Sequence, residues 1–336
     1  MATVDLGVLP GTEPDPLHEA QRDLDPVPRR VRLSLAELLL LARLCETRLP
    51  FPVEPGASSG LTERLGDTPD GRGRELMARE LARVDDTGPG SPVDRLREQG
   101  LLHGDDPTTA QVEPEVVTAL RLLGAPEQTV WIDLGRVHPF KVQLHAWHHA
   151  RAEGLATLAT LDALSFELTW VAPAGWRAEL ARAATVSLAE PATAQGFPDE
   201  VVIGHDLLVA GLEAVRAGRW EVLAELCRLE CATMRVEGRP VDAAEAAILL
   251  QRLDSETVGR LRASVGLLLD AGGRRDSAEL QAPPGRRGLV SWVLLADGWR
   301  ALIPLTDSAE HLVVVRRVEP DDLGSAVADL FAELIA

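Results

Sequence analysis

Tyrosine is absent, lysine occurs once at Lys141, and cysteine occurs three times, at Cys45, Cys227 and Cys231. Three cysteines in 336 residues exclude a disulfide framework. Cys227 and Cys231 stand four apart in WEVLAELCRLECATM, with no CxxC spacing and no second pair. They read as small apolar residues of a helix, not as zinc ligands. Positive charge is also scarce: Lys and Arg total 34 against 52 Asp and Glu, for a formal net charge of −18. A nucleic-acid partner selects a basic face that releases counterions, and this balance argues against one. No apolar run approaches the ~20 residues that span a bilayer. The start, MATVDLGVLPGTEPDPLHEAQRDLDP, lacks the basic and apolar regions of a secretory signal, so the expected location is cytoplasmic.

Nucleotide and nucleophile motifs are missing as well. PPGRRG and AGGRRD carry glycine and arginine but no GxxxxGK[ST], no GxGxxG follows a strand, and there is no GxSxG. His205 and Asp206 are adjacent on a helical pattern and point about 100° apart, so they make a poor relay; Asp206 reads as an acid at a helix start. Glu167 alternates with Phe166 and Leu168, which suits a solvent-facing strand position. No cofactor and no catalytic residue is expected.

What the sequence does hold is histidine in one place. VHPFKVQLHAWHHARAEG, from Val137 to Gly154, contains His138, His145, His148 and His149, half of the eight in the chain. Histidine is the commonest metal ligand. On a helix, His145 and His149 would share a face as in HExxH, but Ala146 stands where that motif needs glutamate. Val142, Leu144 and Ala146 alternate against Gln143, His145 and Trp147, which predicts a strand. Four residues of strand span ~13 Å, too far for two ligands on one ion. The expectation is therefore a polar strand face and a mobile turn near Trp147, His148, His149 and Arg151. A metal-dependent hydrolase built on the His138–His149 cluster is the weakest alternative.

Seven tryptophans accompany the missing tyrosine. Trp131, Trp147, Trp170, Trp292 and Trp299 fall in predicted strands. Core packing is their default role; on an open sheet face they would anchor a protein interface.

Along the chain, residues 1–28 read as an acidic, proline-rich disordered tail, and 29–336 as one α+β domain with halves of about 29–190 and 191–336. Ser34 and Glu37 form a capping box ahead of a helix. A loop follows from Pro50 to Arg72. RGRELMARELARV, PVDRLREQGLL and VEPEVVTALRLLGAP are helical, the last with Pro114 in its first turn and Gly124 at its end. TVWIDLG, FKVQLHAWHHA, LATLATLDA and LSFELTWVAP then read as an antiparallel meander, and GWRAELARAAT as a helix. VVIGHDLLVAGLEAVRAGRW and WEVLAELCRLECATMR are expected to be helices, and VDAAEAAILLQRLDSETVGRLRASVGLLLDAGG to contain one or two more. Two apolar runs flank Asp297-Gly298, a strong hairpin signal. HLVVVRRV is a third strand. The closing helix carries Leu323, Val327, Leu330, Phe331 and Leu334 on one face. Helices, strands, helices, strands, helix is an α+β order, and its repetition suggests two halves related by a pseudo-two-fold.

VRLSLAELLLLARLCETRLPFPV, LREQGLL, VEPEVVTALRLLGAPEQTVWIDL and GLVSWVLLADGWRALIPL with the Leu-rich helix after it resemble the EspG family of type VII (ESX) secretion-associated proteins, over about Val31 to Ile335. The match is one of element order and small/Leu patterning, with no catalytic signature. The resemblance implies a central antiparallel sheet flanked by two helical bundles with quasi-two-fold symmetry. It implies a non-enzymatic cytoplasmic chaperone that holds helical PE–PPE-type or WXG-type secretion substrates soluble. A scaffold or regulator of the same secretion locus is the runner-up. The client surface it implies is a loop between early strands plus the C-terminal helical part. On this sequence that selects Trp147, His148, His149, Arg151, Glu153 and Leu155, with Trp292 and Trp299 from the late hairpin. Histidines at such a surface would make client binding change between about pH 5 and 8.

Overall fold

The computed structural model describes residues 27–51, 72–104, 110–137, 140–186, 196–267, 286–305 and 311–336. The expected tail, most of the expected loop from 50 to 72, and His138 lie outside these residues.

The first half runs β1 (Arg29–Ser34), α1 (Leu35–Leu44), α2 (Arg72–Ala82), α3 (Pro92–Glu98), the short hairpin β2 (Leu102–His103) and β3 (Gln111–Val112), α4 (Pro114–Gly124), β4 (Gln128–Val137), β5 (Phe140–Arg151), β6 (Gly154–Thr160), β7 (Ser165–Val171) and α5 (Trp176–Ala184). The second runs β8 (Glu200–Gly204), α6 (His205–Arg216), α7 (Trp220–Glu230), the short hairpin β9 (Arg235–Val236) and β10 (Arg239–Pro240), α8 (Ala243–Glu256), β11 (Gly259–Leu267), β12 (Arg287–Leu295), β13 (Gly298–Pro304), β14 (Leu312–Val318) and α9 (Asp322–Ile335). Among the described residues, twelve strands form one antiparallel sheet in the order β1-β7-β6-β5-β4-β11-β12-β13-β14-β8-β9-β10.

From β1 to β8 that order is symmetric about the β4–β11 pair, with β9 and β10 added at one end. Ile132 faces Ala263 at its centre, and β1, β5, β6 and β7 match β8, β12, β13 and β14 outward from it. The turn into the first helix repeats too. Leu35 N–H donates to Leu164 O at 2.8 Å, and its twin His205 N–H donates to His311 O at 2.8 Å. The fold is therefore α+β with two quasi-two-fold halves.

Strand alternation sorts the core into three parts. One sheet face takes α5 and α9, which cross over the centre and bury Trp176, Leu180, Leu323, Val327 and Phe331 against Ile132, Leu261, Ala263 and Trp292. The other face takes two bundles. The first half packs Leu38, Leu41, Leu120 and Leu123 on Trp147, Leu158, Phe166 and Leu168. The second packs Leu207, Leu223, Cys227 and Leu250 on Val293, Leu295, Val313 and Val315.

Local chemistry accounts for the element starts. The Ser34 hydroxyl accepts from Glu37 N–H at 3.3 Å while the Glu37 carboxylate accepts from Ser34 N–H at 2.7 Å, the capping box read from the sequence. Some expectations need correction. Residues 200–204 and 259–267 are strands β8 and β11, where helices were expected, and residues 29–34, ahead of the helix capped by Ser34, form strand β1, for which no strand was expected. The late hairpin turns at Ala296–Asp297, one residue earlier than expected, and Gly298 opens β13 at φ +125, a value that favours glycine.

Candidate functional site

The histidine run lies in β5, a strand with neighbours on both edges and packing on both faces. His145, His148 and His149 are 3%, 2% and 4% exposed, so the expected solvent-facing strand and loop tip is corrected. The two-residue turn is Ala152–Glu153. Alternation splits the histidines between faces. His145 and His149 share the bundle face with Trp147, and His148 lies on the α5 face with Ala146 and Ala150.

Each histidine has its own surroundings. His145 pairs with Asp133 on β4 and meets the Trp147 ring edge-on, with centroids 4.3 Å apart. His149 Nδ1 lies 2.7 Å from Leu123 O, among the last carbonyls of α4, which selects the Nδ1–H tautomer. His148 Nδ1 has no hydrogen-bond partner among the described residues. Burial pushes His148 down to about 3, helped by Arg182 and His149, and pushes His149 down to about 4 against its bond to Leu123. Both are neutral from pH 5 to 8, so the expected titration of a binding surface in that range does not come from them. Among the described residues, no group of three or more His, Cys, Asp or Glu could hold a metal ion.

The other selected residues divide the same way. Leu155, Trp147, Trp292 and Trp299 are buried. The Trp292 and Trp299 rings meet at a tilt of 53° with centroids 6.0 Å apart, and Trp299 Nε1–H donates to Ala184 O at 2.9 Å, so this pair ties the late hairpin to the end of α5. Arg151 and Glu153 alone of the eight sit at the surface. Arg151 Nε donates to Glu127 at 3.1 Å and lies 3.7 Å from Glu153.

Two surfaces escaped the sequence reading. The first is the floor between the two bundles. Cross-strand partners point to one face, so Trp131, Ser264 and Leu289 form one row and Asp133, Arg262 and Ser291 the next. Trp131 packs on the first bundle's core, and Val293, further along this face of β12, belongs to the second. Between these walls Arg262 and Ser264 are exposed, and Leu289 is 57% exposed. The second is the outer side of the C-terminal bundle. Helix α7 buries Leu223 and Cys227 but exposes Trp220, Val222 and Leu229. Val222, Leu226 and Leu229 follow i, i+4, i+7 spacing, a second apolar stripe beside the buried one. That stripe was legible in the sequence; the floor was not, because it depends on β11 being a strand.

No protein-family model matches the chain, and no curated protein matches it. Among solved structures it is similar to the Mycobacterium tuberculosis type VII secretion system chaperone EspG5, whose structure is of a complex with the PE25–PPE41 dimer. The identity is 13%, the TM-score 0.52, and the likeness covers 91% of this chain and 96% of that one. At that identity the likeness speaks to architecture, and the resemblance to the EspG family holds at the level of the fold.

Proposed function

We propose that this protein is a cytoplasmic, non-enzymatic chaperone that binds a helical type VII secretion substrate of the PE–PPE or WXG kind and keeps it soluble for export. The observation that carries the reading is the fold likeness to a secretion chaperone over nearly the whole of both chains. The surfaces support it. A floor carrying Leu289 and Arg262 between two helical walls suits the tip of a helical partner, an apolar centre with a charged rim. The apolar stripe on α7 offers a second exposed apolar surface on the C-terminal bundle, the part the family resemblance selects. On this reading Arg151 and Glu153 are the members of the early hairpin that the client would meet. The acidic chain keeps such a complex dispersed. No helix among the described residues is long and apolar enough to cross a membrane.

The test is co-expression with PE–PPE-type and WXG-type products of neighbouring genes. The reading requires a soluble stoichiometric complex with at least one of them, weakened by Leu289→Glu. A scaffold of the secretion locus would capture a machine component instead.

A further inference from the structure

The two halves differ at one place where the two-fold leads them to agree. In the second half, β8 is covered on its outer edge by β9: Val201 and Val202 pair with Val236 and Arg235, and Glu237 N–H donates to Glu200 O at 3.0 Å. In the first half, the corresponding hairpin β2–β3 stands apart as its own two-stranded sheet. Among the described residues, strand β1 therefore ends the large sheet and pairs with β7 alone.

The register shows which groups are left open. Antiparallel pairs alternate between hydrogen-bonded and non-bonded. Leu35 N–H donates to Leu164 O, and Ser34 N–H turns away from β7 to the Glu37 carboxylate. Counting back, Leu33, Val31 and Arg29 bond to β7, while Arg30 and Arg32 present N–H and C=O outward. Their twins are Glu200 and Val202, the residues that β9 covers.

Chemistry at this edge has a sign. Arg30 is bound to the buried Glu179, so its charge is matched. Arg32 is exposed and makes no side-chain hydrogen bond or ion pair among the described residues. A cleft of about 700 Å³ opens beside it, lined also by Leu33, Phe166, Leu161 and Arg95. Arg95 Nε lies 2.9 Å from the buried Glu37, and its Nη2 has no hydrogen-bond partner among the described residues. Glu37, Glu167 and Asp162 also line the cleft, but each is engaged: with Ser34 and Arg95, with Arg182, and with the Leu164 and Ser165 amides.

We propose that the outer edge of β1 is a docking site for an extended acidic segment of a partner protein, which adds to the sheet as a further strand. Its backbone pairs with Arg30 and Arg32, and a carboxylate directly opposite Arg32 takes the unmatched charge. An antiparallel second copy of β1 would set arginine against arginine, so self-pairing is disfavoured by the same charge.

The probe is a capped, fluorescein-labelled heptapeptide of alternating valine and glutamate, titrated with the full chain and read by fluorescence anisotropy. Its lysine counterpart and a copy N-methylated at alternate residues are the controls. Binding is expected for the glutamate peptide, with at least tenfold loss on N-methylation and on Arg32→Glu. Arg32→Pro removes one outward N–H at a position where an edge strand tolerates proline, and should also reduce binding tenfold. Arg316→Glu, at an exposed arginine of β14 remote from β1, should leave it unchanged. No binding of the glutamate peptide, equal binding of both charges, or insensitivity to N-methylation overturns the proposal. So does concentration-dependent self-association abolished by Arg32→Glu, which would give the edge to a second copy. A gain in affinity on removing residues 1–26 would give it to the chain's own acidic start, and overturns it as well.

Discussion

Acid should unfold this protein from the inside of β5. His148 and His149 are neutral in the fold, with pKa values pushed down to about 3 and about 4, and both gain a proton near the ordinary imidazole value of about 6.5 when the chain opens. Below 6.5 the unfolded state therefore binds more protons than the folded one. The stability conferred by the neutral imidazoles is complete above that value and falls as pH drops toward 4 and then 3. One pKa unit corresponds to about 1.4 kcal/mol, so going from pH 7 to pH 5 removes roughly 2 kcal/mol for each histidine and roughly 4 for the pair. Free carboxyl groups ordinarily titrate below that interval, near about 4, so imidazoles dominate it. The assay is urea unfolding at several pH values, followed by tryptophan fluorescence. His148→Leu replaces an unpartnered polar ring with an apolar side chain between Ala146 and Ala150. It should be close to neutral at pH 7 and recover roughly 2 kcal/mol at pH 5. A flat profile between pH 7 and 5, or a His148→Leu variant that keeps the full loss, would refute the buried-neutral assignment.

Three further substitutions probe separate parts of the fold. Glu37→Ala removes the carboxylate that caps Ser34 N–H and leaves Arg95 without its acid, so it should lose about 2 kcal/mol in chemical denaturation. Asp297→Ala strips the carboxylate from Arg300, which is fully buried, and from Phe197 N–H; about 3 kcal/mol should go, and Asp297→Asn should lose less. Val222→Glu on the exposed stripe of α7 should stay within about 0.5 kcal/mol of the parent in stability while weakening client capture at least tenfold. Equal client binding by that variant would remove α7 from the surface.

Much of the architecture could be read from local chemistry. The Ser34–Glu37 box, Pro114 and Gly124 at the two ends of α4, the β4–β7 meander and the apolar stripe of α9 all depend on residues close in sequence. Strands β1, β8 and β11 were missed for a shared reason: β1 and β8 run straight into helices, and β11 follows one after two residues. In β11 the signal was present, since Leu261, Ala263 and Val265 alternate strictly and are buried while Arg262 and Ser264 are exposed. The histidines show a different limit. Period-two alternation says that residues point to opposite faces; it does not say that either face meets water. In β5 helices cover both, so the polar half of the pattern is buried, and the surfaces lie on β11, β12 and α7 instead.

The most direct test of the central reading is co-purification of the untagged chain with a tagged PE–PPE-type or WXG-type product of a neighbouring gene, with the mass of the complex measured in solution. The account predicts a discrete stoichiometric complex that Leu289→Glu and Val222→Glu each dissociate without unfolding the chain. A panel in which every such product is soluble alone and none retains the chain would contradict it.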